Sequence, residues 1–222
     1  MKDNIRITFK LVSSSFYKMD PSWKHPFSSI VSGPSGCGKT QFTLKFIDHL
    51  EHMVVPRIEK VMWCFGIYQD IFDRYPQIEF QEGLPNLEVF DGKERTLLVL
   101  DDLMNETDER VTKIFTKISH HRNVSVLYLT QNLFYNGKHT RTISLNAHYL
   151  VLFKNVRDTT QVANLARQMF PGQSHFMLDA FRDATSVPFG YLLVDLRPDT
   201  DERCRLRTNI FPGETHYVYV RK

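Results

Sequence analysis

No apolar run in this 222-residue chain approaches the roughly 18–20 residues that a membrane-crossing helix needs, and the N-terminus carries no signal-peptide stretch. Cysteine is scarce. Cys37, Cys64 and Cys204 are odd in number, far apart and without a C-x-x-C pair, which argues against both a disulfide framework and a thiolate zinc site. The nine histidines show no metal-ligand spacing, and the adjacent His120 and His121 do not easily face one ion. There is no internal repeat, no low-complexity tract and no block of Lys or Arg. These absences exclude a secreted disulfide scaffold, a solenoid and a membrane span. An intracellular soluble protein is the expectation that remains.

What is present suits one α/β domain with a substantial core: 42% of residues are hydrophobic and 24% charged. A net charge of +3 permits a polyanion partner without demanding one. The most informative stretch is Gly33-Pro34-Ser35-Gly36-Cys37-Gly38-Lys39-Thr40, followed by Gln41. It fits G-x-x-x-x-G-K-[S/T], the phosphate-binding P-loop, for which about 3 × 10⁻³ chance matches are expected in a chain of this length. Its context agrees. The apolar residues 27–31 precede it as a strand, and Phe42, Phe46 and Leu50 follow at helical spacing. In such a loop the backbone N–H groups and the helix N-terminus cradle phosphates. Lys39 then supplies a cation for the β- and γ-phosphates of ATP, and the Thr40 hydroxyl a ligand for Mg²⁺.

A second site is encoded by Thr96-Leu97-Leu98-Val99-Leu100-Asp101-Asp102. A run apolar at every position reads as a parallel strand covered on both faces, expected beside the P-loop strand. Alone, two carboxylates after a strand read as a helix cap or a solvated turn. Downstream of a P-loop, Asp101 reads as the Walker B ligand of Mg²⁺ and Asp102 as the group that polarises the attacking water. Asp102 stands where most of this wider class carry Glu, one methylene longer.

A third element follows. Thr107 as N-cap, Asp108 and Glu109 in the first turn, and Val111, Ile114, Phe115 and Ile118 on one face predict an amphipathic helix. Residues 123–129 then form a strand ending in Thr130-Gln131-Asn132, predicted next to the Walker B strand. An amide at that tip can touch the γ-phosphate, and Gln131 is the candidate sensor; the alternative is a loop glutamine with no chemistry. Residues 60–65 and 191–195 read as further strands, 159–169 and 174–181 as helices. Ile5, Ile7, Phe9 and Leu11 alternate as a possible extra strand in an N-terminal extension, residues 1–26. Trp23 and His25, just before the first core strand, are open to a place near the nucleotide base. The core spans 27–196. The tail, 197–222, carries Arg203, Arg205 and Arg207 on alternate positions, as a polar edge strand or a face for a neighbouring subunit.

Together, residues 33–40, Leu98 to Leu103, His121-Arg122-Asn123 with Leu129 to Asn132, and Asn146 to Asp158 resemble the genome-packaging ATPases of the FtsK/HerA superfamily. The likeness is greatest to poxvirus-type members and those of Polinton (Maverick) elements, adintoviruses and virophages, and runs from about residue 20 to about 195. It implies a three-layer RecA-like α/β P-loop domain that hydrolyses ATP with Mg²⁺. It also implies a homo-oligomeric ring, hexamer or pentamer, that moves double-stranded DNA into a capsid, with capsid proteins as possible partners. An arginine from one subunit would complete its neighbour's site: Arg141, Arg157 or, less favoured, Arg122. Residues 133–139, with Lys138, and Arg141 beyond them, read either as a pore loop gripping DNA backbone or as cover for the sheet edge. A translocase or helicase outside any capsid and a slow nucleotide-gated assembly switch stand as alternatives.

Overall fold

The computed structural model describes residues 5–7, 21–103, 109–118, 122–133 and 138–221. The expected helix cap at Thr107 and Asp108, His120 and His121, Phe9 and Leu11, and residues 134–137 of the candidate pore loop lie outside the described residues.

The strands are β1 (Ile5–Ile7), β2 (Trp23–Lys24), β3 (Ser28–Ser32), β4 (Val54–Val55), β5 (Lys60–Phe65), β6 (Glu79–Glu82), β7 (Thr96–Asp101), β8 (Val124–Thr130), β9 (Tyr149–Phe153), β10 (Tyr191–Asp195), β11 (Leu206–Thr208) and β12 (Tyr217–Arg221). The helices are α1 (Lys39–Asp48), α2 (Leu50–Met53), α3 (Glu109–Lys113), α4 (Lys138–Leu145), α5 (Thr160–Met169) and α6 (Ser174–Ala184). Six strands run parallel in the spatial order β9-β3-β8-β7-β5-β6. Beyond β9 the sheet continues antiparallel through β10, β11, β12 and β1. Strands β3, β7, β8 and β9 are buried at every position, because helices cover both faces.

Strand alternation divides the apolar side chains into two cores. Val31, Trp63, Val99, Leu127 and Val151 face Phe42, Leu44 and Phe46 of α1. Ile30, Leu98, Leu100, Val126 and Leu150 face Val111, Ile114, Phe115, Ile143, Ala166 and Met177 on the other side. Each fully buried side chain of this size contributes about 1.5–3 kcal/mol. The result is three layers, helix–sheet–helix, as expected of a RecA-like α/β fold.

Three expectations are corrected. The Walker B strand β7 is not beside β3, because β8 lies between them. The chain moves outward to β5 and then steps back through β7 and β8, so the later strand fills the place next to β3. The tail is not an edge: β11 lies between β10 and β12, and β1 covers β12. Arg207 is 3% exposed and pairs with the buried Asp195 at 2.8 Å, while Arg205 and Arg203 pair with Glu202 and Asp201. Trp23 and His25 precede β3 and therefore sit at the opposite end of the sheet from the P-loop. Trp23 is fully buried and stacked on Tyr149, and His25 is held by Ser125 and Asn123.

Candidate active site

All parallel strands end on one edge of the sheet, and the P-loop leaves β3 there to enter α1. Gly36 and Gly38 take φ of 76° and 105°, left-handed values that glycine adopts without strain. Gly33 is required for a different reason. A Cβ there would lie 2.6 Å from Cys37 Sγ and 2.7 Å from Phe153 Cβ. Gly33→Ala is expected to destabilise the protein by about 1–3 kcal/mol through overpacking. A thermal melt unchanged from the parent would refute that. The ammonium of Lys39 donates to the Gly33 and Pro34 carbonyls at 2.6 and 3.0 Å, which places the cation over the mouth of the loop. Thr40 is the second residue of α1, and Gln41 is exposed one residue on.

Asp101 closes β7 on the face that carries α1, level with Leu129 of β8 and Phe65 of β5. It is 5% exposed, and burial pushes its carboxyl up to about 6. The Asp102 charge adds to the rise, whereas the Lys39 ammonium and the Gln69 amide, which donates at 3.2 Å, oppose it. The indole of Trp63 also favours the carboxylate, although its N–H closes no hydrogen bond of normal geometry and is left orphaned in the core. A half-dry carboxylate and the Thr40 hydroxyl are hard oxygen donors of the kind Mg²⁺ takes, so the residues present fit that ion.

Asp102 adopts φ 51°, in the left-handed region, and is exposed. Its carbonyl lies where the chain at Gly66 passes so closely that a Cβ there would be 2.9 Å away. The left-handed residue breaks the strand alternation after Asp101. Two adjacent carboxylates thereby differ in setting, one buried and one in solvent.

Gln131 leaves β8 beside the P-loop, where the Gly33 N–H donates to the Thr130 carbonyl at 3.1 Å. With Ser32, Gly33, Asn155, Asp158 and Gln161 it lines an open pocket. The sequence reading missed Gln161. Its amide oxygen accepts the Leu133 N–H at 2.7 Å and its nitrogen donates to Asp158 at 2.5 Å, which joins the end of the sensor strand to the start of α5. The i, i+3 spacing of Asp158 and Gln161 at a helix start was the available signal. Hydrogen bonds from Thr160 and Gln161 hold the Asp158 carboxyl below the usual range.

Arg157 follows β9 on the same edge and Arg141 lies in α4; both are exposed, and neither has a salt-bridge partner among the described residues. Arg122 is committed elsewhere, donating to the Leu87 and Phe90 carbonyls at 2.7 and 3.1 Å. No helix among the described residues is long and apolar enough to cross a membrane.

No protein-family model and no curated protein matches the chain. Solved structures do. The genome packaging NTPase B204 of Sulfolobus turreted icosahedral virus 2, in complex with sulfate, aligns at TM-score 0.52 and 12% identity, covering 79% of this chain and 94% of that one. The same NTPase with AMPPCP gives TM-score 0.52 and 12% identity over 82% and 96%. The cytoplasmic domain of the type VII secretion ATPase EccC of Thermomonospora curvata gives TM-score 0.50 and 13% identity over 87% of this chain, which spans 25% of that one. The chain therefore has the RecA-like α/β fold of P-loop ATPases, with its sheet mainly parallel.

Proposed function

We propose that the protein is an ATP hydrolase that drives double-stranded DNA, as a homo-oligomeric ring, most consistently into a viral or virus-like capsid. One observation supports the hydrolase reading: Lys39, at the start of α1 after β3, and Asp101, at the end of β7, lie on the same edge of the sheet with β8 between their strands, and the ammonium's charge is felt at the buried carboxyl. The loop N–H groups and Lys39 bind the triphosphate, while Thr40 and Asp101 would hold Mg²⁺, which would neutralise charge on the phosphates. Asp102 accepts the proton of the attacking water and Gln131 registers the γ-phosphate. Arg157 or Arg141 reaches a neighbouring subunit's site. The DNA and capsid parts rest on the sequence resemblance, including its poxvirus-type and Polinton-like affinity. They are supported by the fold shared with the packaging NTPase B204.

Steady-state phosphate release, measured across protein concentrations with and without duplex DNA, tests the motor. An arginine supplied in trans accounts for about 10³–10⁵ in rate, so specific activity rises steeply as subunits assemble, and DNA raises it further. Specific activity constant at all concentrations would overturn the ring, and indifference to DNA would favour a nucleotide-gated switch.

A further inference from the structure

Phe189 is placed against the ordinary rules for its residue type. It is 70% exposed and has φ 60°. It occupies the third position of the turn running from Val187 to Gly190, closed by the Gly190 N–H donating to the Val187 carbonyl at 3.1 Å, with Pro188 before it. A positive φ at that position is the type II pattern, which glycine or asparagine fills without strain and a bulky aromatic does not. Packing does not account for the choice, since the ring is largely in solvent. Nor is the turn loose: a Cβ on Gly190 would fall 2.3 Å from the Ala184 carbonyl oxygen, so the loop is pressed onto the end of α6.

The ring has one notable neighbour. A Cβ on Gly38 would lie 3.1 Å from Phe189 Cδ1, so the aromatic borders the P-loop immediately before Lys39. Sheet order says which side. Asp101 lies on the β8–β7 side of β3, whereas the turn bearing Phe189 leads into β10, on the β9 side. A triphosphate whose terminal group faces Lys39 and Asp101 has its ribose and base toward the opposite flank, where Phe189 stands.

We propose that Phe189 is the platform on which the purine base of the bound nucleotide stacks. The inference rests on the reading of the P-loop as a triphosphate site. A rigid, exposed, apolar ring fixed by a tight turn is what a base face requires, because stacking uses π-surface and needs no hydrogen bond. The strained turn holds the ring at the lip of the loop before any ligand arrives, which lowers the ordering cost of binding.

Two probes separate base from phosphate: ATP and inorganic tripolyphosphate, each titrated calorimetrically onto the full chain. Phe189→Ala is expected to weaken ATP about tenfold or more, the usual scale for losing an aromatic–base stack, and to leave tripolyphosphate affinity unchanged. Phe189→Trp keeps ATP affinity, and its added fluorescence is quenched by ATP but not by tripolyphosphate. Phe189→Gly suits the positive φ, so a loss of ATP affinity in that variant cannot come from misfolding. Parental ATP affinity in Phe189→Ala would overturn the proposal, as would an equal loss of both ligands. A parent chain that binds neither ligand would instead overturn the triphosphate reading itself, and this inference with it.

Discussion

An Asp102→Asn variant is expected to bind ATP as tightly as the parent and to turn it over about 10²–10⁴-fold more slowly, the range for removing a general base. The substitution is a clean one here. Asp102 sits at φ 51°, and asparagine is among the few residues that share aspartate's tolerance of the left-handed region, so the backbone is kept. Only the basicity of an exposed side chain next to Asp101 changes. Asp102→Glu tests reach in the same way, since it adds one methylene to an exposed side chain. Nucleotide titration paired with single-turnover phosphate release reads both quantities. An undiminished rate in Asp102→Asn would remove Asp102 from the role of base.

The strands were legible wherever burial on both faces made the apolar run continuous. Residues 60–65, 96–101 and 191–195 form strands as read, and the expected 123–129 strand is shifted by a single residue. The P-loop was legible because its chemistry lies in the backbone and glycine marks the backbone directly. Strand order was not. Which of two parallel strands lies next to β3 depends on how successive crossovers fill the sheet, and no local pattern records it. For that reason β8 was expected beside β7 but not between β7 and β3.

The tail shows the same limit in its charges. Arg203, Arg205 and Arg207 alternate as on a solvated strand, yet Arg207 is buried because Asp195, twelve residues earlier on the neighbouring β10, takes its guanidinium. An alternating pattern tells the two faces apart without telling which is wet. The site followed this division. Asp101 and Lys39 were each visible in a motif, but the orphaned Trp63 N–H and the Gln69 amide at Asp101 depend on β5 lying against β7. Phe189 left only a Pro-Phe-Gly turn in the sequence, with nothing to connect it to a loop some 150 residues earlier.

Asp101→Asn is expected to do two opposite things: abolish ATP turnover and make the metal-free protein more stable above pH 6. The carboxyl ionises at the ordinary aspartate value of about 3.9 when the chain is unfolded, whereas burial pushes it up to about 6 in the folded protein. Below pH 4 both states hold the proton and the group contributes nothing. Between 4 and 6 the unfolded chain releases it while the native state keeps it, so native stability falls as pH rises. Past 6 both are ionised, and the native state carries the full cost of a charge buried beside Trp63, with Lys39 and Gln69 already counted as relief. That difference between the folded and unfolded carboxyl corresponds to about 3 kcal/mol. Asparagine never acquires that charge. The melting temperature of the variant should therefore exceed the parent's by several degrees at pH 7–8, the gap closing toward pH 4. Mg²⁺ with ATP should narrow the gap by stabilising the parent more than the variant, since a ligand that binds only the native state adds stability in proportion to its affinity. A gap of the same size at pH 4 and pH 8 would show that Asp101 is not held against its charge. The reading of β7 as a strand whose tip stores an unfavourable carboxylate for a cation would then fail.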